Sequence, residues 1–364
     1  MATTNTQPNI SVIFKQLAKS AVKRGTRGKV GFIIFDDTNK TFINKTYKTS
    51  TEAEKDSALY TVENLQFIKD CFLGAPASVT VIRIDKTLGK ITDALVIAKS
   101  LKLDWTGTAS DSVTDQAAVA TFIKEQELLN KQFKGIVFNN SADVKHVVNF
   151  VNSKVTFTDD TRGEKTGNEY IPSLLGVFAG LPLSRSATYL KLNNLKYVVE
   201  ETDIDTSIQA GKLCLFNDDI GVVKISTAVN SLTTIDTINT EIMSKIEVVE
   251  IMDLIIKDVT TTYKNDYVGQ FKNKTDYQFL FIGAVNGYFK GLTKEDVLDG
   301  LYENKSEIDI VAQRDAYIAS GKTEAETWDD EQVIAKAFKN KMFMIADVKF
   351  LEGMENLRFA ITIF

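Results

Sequence analysis

Apolar residues recur along this chain with two periods, two and about 3.6, and the switches between them mark its elements. The run Val30-Gly-Phe-Ile-Ile-Phe35, stopped by Asp36-Asp37, reads as a buried strand. Leu59, Val62, Leu65, Ile68 and Phe72 fall on one face of a helix over 51–73, and Ala77 to Ile84 is again a strand. These make a small α/β unit ending near Gly89. Beyond it the spacing predicts helices over 91–101 and 114–132, a strand at Gly135-Ile-Val-Phe138, and a helix over 142–152. Strands alternating with helices call for an open, mostly parallel sheet covered on both faces.

The polar, turn-rich stretch 158–168 reads as a loop, Tyr170 to Gly180 as a buried helix, and 213–216 with 222–225 as a β-hairpin around Asn217-Asp-Asp-Ile-Gly221. From Thr234 the pattern is helical to about Tyr267, and a second helix covers 276–290. Strands over 342–350 and 357–364 close an α+β region. The expected division is an arm at 1–20, a small α/β domain at 21–90, a middle doubly wound α/β domain at 91–250 and a C-terminal α+β domain at 251–364.

The two ends share a pattern. Leu357, Phe359, Ile361 and Ile363 alternate with Arg358, Ala360, Thr362 and Phe364, a strand that runs to the last residue. Near the start, Ile10, Val12 and Phe14 alternate in the same way. A strand with open N–H and C=O groups needs a partner, either in its own molecule or in a neighbour whose sheet it extends.

Composition narrows the chemistry. A formal net charge of −5 gives the chain as a whole no electrostatic footprint for nucleic acid or an anionic membrane. No stretch reaches the length of a membrane span, and the first residues lack the charged and apolar regions of a signal peptide, so a cytoplasmic fold is expected. Cys71 and Cys214 each sit inside an apolar run, which suits buried reduced thiols. One histidine and two cysteines leave little for nucleophilic catalysis or for a zinc or iron site.

Individual candidates are correspondingly weak. The basic glycine stretch Lys23 to Lys29 precedes a strand instead of following one, which departs from a phosphate-binding loop and favours a solvated turn or a subunit contact. His146 lies three residues after Asp143 on a predicted helix, where a distant serine could complete a hydrolase triad, but no Gly-x-Ser-x-Gly elbow is present and a surface or boundary histidine is the expectation. The pairs Asp36-Asp37, Asp159-Asp160, Asp218-Asp219 and Asp329-Asp330 lack calcium-loop spacing and read as turn residues. Trp105 and Trp328 are expected to be partly buried at domain edges. No metal, cofactor or catalytic residue is assigned.

Three segments taken together, Gly176–Leu192 (GVFAGLPLSRSATYLKL), Ala228–Thr234 (AVNSLTT) and Lys245–Ile255 (KIEVVEIMDLI), resemble the tail sheath proteins of contractile phage tails and phage-like particles. The segment Pro8 to Phe14 and the closing strand fit the same family, so the resemblance spans nearly the whole chain. Its motif residues here are Ser184, Arg185, Ser186, Asn230, Ser231, Leu232 and Thr233; a glycine is more usual in the family where this chain has Ala228.

The resemblance implies a structural subunit, not an enzyme, with a middle domain of subtilisin-like fold. Such subunits form stacked, sixfold rings around a tail tube and contract to drive the tube through a target envelope. Implied partners are other sheath subunits, the tail tube, the baseplate and the tail terminator, with no nucleic acid and no membrane insertion by this chain. Strand exchange between subunits would involve Ile10, Val12, Phe14, Leu357, Phe359, Ile361 and Ile363. The implied location is a virion tail or tail-like particle assembled in the host bacterial cytoplasm. The alternatives are a hydrolase built on the α/β domain, or a tube or baseplate component.

Overall fold

The apolar run at 30–35 forms the strand it predicts, β1 (Lys29–Phe35), near the middle of a seven-stranded sheet. The structure is a computed structural model that describes residues 21–25 and 27–362. After β1 come β2 (Asn44–Tyr47), α1 (Ser50–Lys55), α2 (Val62–Asp70), β3 (Ser78–Ile84), α3 (Ile91–Ser100), β4 (Trp105–Thr108), α4 (Val113–Leu128), β5 (Lys134–Phe138) and β6 (Val147–Phe150). Next are β7 (Lys154–Phe157), β8 (Glu164–Thr166), α5 (Ile171–Gly180), β9 (Leu195–Val198), α6 (Ile204–Gln209), β10 (Lys212–Leu213) and the hairpin β11 (Leu215–Asn217) with β12 (Val223–Ile225). The chain continues through α7 (Ile246–Thr262), α8 (Thr275–Lys294), β13 (Lys305–Ile308), α9 (Ile310–Ala319), α10 (Asp330–Ile334) and β14 (Met344–Asp347).

The chain divides into two units. The larger is Thr26–Asp253 with Glu352–Phe364; the smaller is Met1–Gly25 with Leu254–Leu351. In the larger, the sheet order is β10-β6-β5-β4-β1-β3-β2, with every pairing parallel except that of the edge strand β2. Alternation along β1 sends Val30, Phe32 and Ile34 into a core shared with Leu174, Leu175 and Phe178 of α5. Ile33, between them, enters a second core with Ala94, Leu95 and Ala98 of α3 and Val119 and Ile123 of α4. Helices on both faces make this the doubly wound layer expected of alternating strands and helices. A mixed α/β fold is therefore as the sequence implies.

Three expectations about the elements change, one being that the helix expected from Thr234 starts only at Ile246. Strands of 29–84 and of 105–150 belong to one sheet, because β1 pairs with β4 from Val30↔Trp105 to Ile33↔Thr108, so no division falls near residue 90. The expected helix over 142–152 is instead β6, buried at every position. Val147, Val148, Phe150 and Val151 have the bulk and branching of a parallel strand buried on both faces, a pattern that periodicity alone does not separate from a helix.

In the smaller unit, α8 buries Phe281, Val285, Phe289 and Leu292. β13 and β14 pair antiparallel from Lys305↔Asp347 to Ile308↔Met344 as a two-stranded sheet. The main segment of this unit is Leu254–Leu351, against an expected 251–364, because Glu352–Phe364 belongs to the larger unit. Both cysteines are free and buried, as their apolar surroundings predict, whereas Trp105, expected to be partly buried at a domain edge, is fully buried in the core of the larger unit. No helix among the described residues is long and apolar enough to cross a membrane.

Candidate functional site

The three motif segments meet in the larger unit. Thr188 accepts a hydrogen bond from the Ala228 N–H at its Oγ1 (3.1 Å), and the Ile246 N–H donates to the Ala228 carbonyl (3.0 Å). Ala228 thus stands between the loop after α5 and the start of α7. Gly176 lets α5 approach a neighbouring turn: a Cβ there would lie 2.1 Å from the Cys71 carbonyl oxygen.

Asn230 and Ser231 are fully buried, which a polar residue tolerates only when its hydrogen bonds are made. Asn230 donates from Nδ2 to the Met243 carbonyl (2.7 Å) and accepts the Leu232 N–H at Oδ1 (3.0 Å). Ser231 donates through Oγ to the Val144 carbonyl (2.9 Å) and accepts the Val144 N–H, while its own N–H reaches the Val147 carbonyl (2.7 Å). Thr233 and Thr234 converge on Asp143, whose Oδ1 accepts both N–H groups at 2.7 and 2.9 Å. The hydroxyl of Thr234, followed by the Thr233 and Thr234 N–H groups, holds the Asp143 carboxyl below its ordinary value. Ser184 and Arg185 stay exposed in a turn, and Ser186 accepts the Thr188 N–H.

The same junction fastens the C-terminal segment. Lys245 places Nζ 2.9 Å from Glu352 and 3.1 Å from Glu355, whose other oxygen accepts the Thr188 hydroxyl at 2.8 Å. The Gly353 N–H donates to Glu247. Partial burial works to lower the Lys245 pKa, but the two glutamates outweigh it and the net shift is upward. Beyond this clamp no regular structure forms through residue 362. Leu357, Phe359 and Ile361 are 91%, 76% and 72% exposed. The strand expected at 357–364 is therefore not hydrogen-bonded within the described chain. Ile10, Val12, Phe14 and Ile363 lie outside the described residues.

Beneath the motif loop lies a buried ionic network. Lys134 Nζ sits 2.6 Å from Asp253 and 3.3 Å from Glu250, which also accepts the Trp105 indole N–H (2.7 Å) and pairs with Arg27 (3.1 Å). His146 places Nδ1 2.6 Å from Glu127 and Nε2 2.9 Å from Asp253. Carboxylates on both sides make both ring nitrogens donors. Burial works against the imidazolium, yet Asp253 and Glu127 outweigh it and raise the pKa. Burial would likewise raise Asp253, but Lys134 and His146 pull it down to about 2.

The expectation of a surface or boundary histidine is thus corrected: His146 is buried, just ahead of β6, and Asp143 faces Thr233 and Thr234 instead of it. Both nitrogens are committed to carboxylates, so this imidazole has no free nitrogen to act as a base on a serine. Of the other acidic pairs, Asp329 caps α10, and the first residue of each remaining pair sits in a turn or loop, where it accepts a backbone N–H. Asp36 accepts the Thr38 and Thr61 N–H groups, and Asp218 accepts those of Ile220 and Val222. Among the described residues no group of three or more His, Cys, Asp or Glu could hold a metal ion.

Residues 239–364, which include α7 and the clamped C-terminal segment, match the description of the phage tail sheath C-terminal domain. Over 96% of its length, the domain included, the chain is 27% identical to the tail sheath protein of Clostridium phage phiCD119, covering 97% of that protein. The sheath tail protein of Desulfitobacterium hafniense superimposes with a TM-score of 0.67 at 14% identity, covering 90% of this chain and 97% of that one. The helical sheath of the anti-feeding prophage in its contracted state gives a TM-score of 0.69 at 13% identity, covering 94% and 95%. At those identities the two structures establish the fold, and the resemblance to tail sheath proteins stands over nearly the full chain.

Sequence reading did not single out Lys134, Glu127 or Glu355, and held Thr188, Lys245 and Asp253 only as members of the motif segments. A signal existed for two of them: Lys134 follows Phe133 at the head of an apolar strand, and Asp253 interrupts the apolar face of α7. Lone opposite charges in otherwise apolar elements point to a buried pair.

Proposed function

We propose that the chain is a structural subunit of a contractile tail sheath, built into stacked sixfold rings around an inner tube. The observation that carries this reading is the C-terminal segment. It is clamped at Glu352 and Glu355, and beyond the clamp Leu357, Phe359 and Ile361 stand in water. An alternating apolar segment with free backbone groups is suited to adding a strand to a neighbour's sheet edge. The two-stranded sheet of β13 and β14 supplies an open edge of this kind, with Ile345 of β14 half exposed.

Subunits that must slide and rotate while attached need links that are strong but hinged. Main-chain hydrogen bonds from an arm rooted at a polar clamp meet both demands, while contacts between subunit bodies break and re-form. The driving energy would be stored in the extended array as a kinetically trapped state, with no nucleotide consumed. The tail tube, baseplate and tail terminator are the remaining partners under this reading. The location is the tail or tail-like particle, assembled in the host cytoplasm, and no catalytic role is assigned.

Electron microscopy of the purified chain tests the reading. Rings or tubes in stain, lost when 357–364 is deleted, are expected. A chain that stays monodisperse at every concentration and salt, alone and with tube protein, overturns it.

A further inference from the structure

The smaller unit holds an aromatic groove of about 400 Å³ that none of the foregoing uses. Residues Tyr263–Tyr267 continue α7 as a π-helical turn, a distortion often found at functional positions. It stacks the rings of Tyr263 and Tyr267 at 6.2 Å and 10°. Phe281 meets Tyr267 at 4.8 Å and 66°, and Phe271 meets Tyr277 at 4.9 Å. Tyr263, Phe271 and Tyr277 are only half-buried, so part of this aromatic surface faces solvent.

One lining residue is incompletely satisfied. Gln278 is 2% exposed; its Nε2 donates to Asn273 (2.8 Å), but its Oε1 is buried with no hydrogen-bond partner. A buried acceptor left open costs about 1–3 kcal/mol, which an incoming donor would recover.

The rim is basic by construction. Asn273 Nδ2 donates to the carbonyls of Lys341 (3.0 Å) and Lys339 (3.2 Å), tying the loop after the π-turn to the loop before β14. That bond gathers Lys272, Lys274, Lys339 and Lys341. Lys274 has only a 4.0 Å approach to Asp276, and among the described residues Lys272, Lys339 and Lys341 form no salt bridge. Unpaired cations around an aromatic groove are a local reversal of a chain whose net charge is −5.

We infer that this groove docks an acidic protein segment: an apolar side chain enters among the aromatic rings, a donor beside it meets Gln278 Oε1, and flanking carboxylates pair with Lys272 and Lys339. Charge selects the class of occupant. Exposed charges act over a screening length of about 8–10 Å, so a short acidic segment meets mainly the lysine rim. A long polyanion or an anionic membrane also meets the negative remainder of the chain. The volume is that of a pocket for one or two side chains. This inference does not depend on the sheath reading.

The test uses the full chain and a fluorescein-labelled peptide, Asp-Glu-Phe-Glu-Asp, followed by polarisation. Saturable binding is expected that weakens with salt. It should fall about ten-fold, or about 1.4 kcal/mol, for the double variant Lys272→Glu with Lys339→Glu, and by a similar factor when Ala replaces Phe in the peptide. The control pair Lys305→Glu with Lys322→Glu changes net charge equally and should bind as the parent does. Tyr277→Ala, checked for folding by circular dichroism, should weaken binding without changing the salt slope. No binding, equal loss in the control pair, or tighter binding of oligothymidylate or phosphatidylglycerol vesicles at the same lysines overturns the inference.

Discussion

Asp253 holds Lys134 with one carboxylate oxygen and His146 with the other: Nζ lies 2.6 Å from Oδ2, and Nε2 lies 2.9 Å from Oδ1. All three side chains are buried, so removing the shared anion leaves Lys134 with Glu250 alone and His146 with Glu127 alone, each short of one counter-charge away from water. Asp253→Asn should destabilise the larger unit by about 3–5 kcal/mol, read as a lowered urea midpoint with unchanged slope. Lys134→Met together with Asp253→Leu should recover much of that loss, because an apolar pair avoids the desolvation penalty. A midpoint unmoved by Asp253→Asn would show that the network carries no stability.

His146 is the chain's only histidine, so its titration gives a single imidazole resonance by NMR. Its folded pKa is raised, with burial opposed and outweighed by Asp253 and Glu127. A raised folded pKa means that protonation stabilises the native state. The contribution is full below the unfolded value near 6.5 and is lost as pH rises through the folded value. Glu127 and Asp253 are depressed, so their contribution is present above the unfolded carboxylate range and is lost as pH falls through their folded values. Stability should therefore decline on both sides of a plateau lying between them, and His146→Gln should flatten the alkaline limb. A resonance titrating at or below the unfolded value would contradict the geometry.

How far the sequence disclosed this arrangement depends on the range of the interaction. β1, β3, α3, α4, α5 and α8 were legible because apolar spacing reports which face an element buries. β6 was misread because a strand buried on both faces has no alternation, and the misreading moved His146 onto a helix and to the surface. Asn230 and Ser231 were visible only as a family motif. Their partners, Met243, Val144 and Val147, lie up to 87 residues away in the chain, and no local pattern encodes such a pairing. The single sheet joining 29–84 with 105–150 was hidden for the same reason, since strand order is a tertiary property.

Ser231→Ala should cost about 1–3 kcal/mol, because it leaves both the Val144 N–H and its carbonyl buried without the hydroxyl. Asn230→Ala should cost a similar amount through the Met243 carbonyl. Thermal unfolding measures both. Hydrogen exchange should localise the loosening to the Val144 and Leu232 amides, and exchange unchanged at those two sites would mean the loop is held by something else.

Lys245→Ala tests the clamp. Lys245 is 26% exposed and Glu352 43%, so the pair lies in a partly solvated setting and the global midpoint should shift by no more than about 1 kcal/mol. Local release should be larger. Glutamyl-specific proteolysis after Glu352 and Glu355 should accelerate several-fold, because the segment must leave its clamp to enter a protease. Cleavage at the parent rate would show that Lys245 does not hold the segment.

The arm itself is separable from the fold. Phe359 and Ile361 are 76% and 72% exposed, so the chain gains little from their burial in its own body. Phe359→Asp with Ile361→Asp should leave the thermal midpoint within about 0.5 kcal/mol of the parent, as expected of surface changes. In a neighbour's sheet the same side chains would be buried, at about 1.5–3 kcal/mol each, and an unpaired charge there is worse than a lost contact. Sedimentation should therefore show a folded variant that fails to assemble under conditions where the parent polymerises. Arg358→Ala, which alters the opposite face of the same segment, serves as the matched control and should assemble. If the double aspartate variant forms the parent's assemblies, residues 357–362 are not the link between subunits, and the open edge of β13 and β14 needs another occupant.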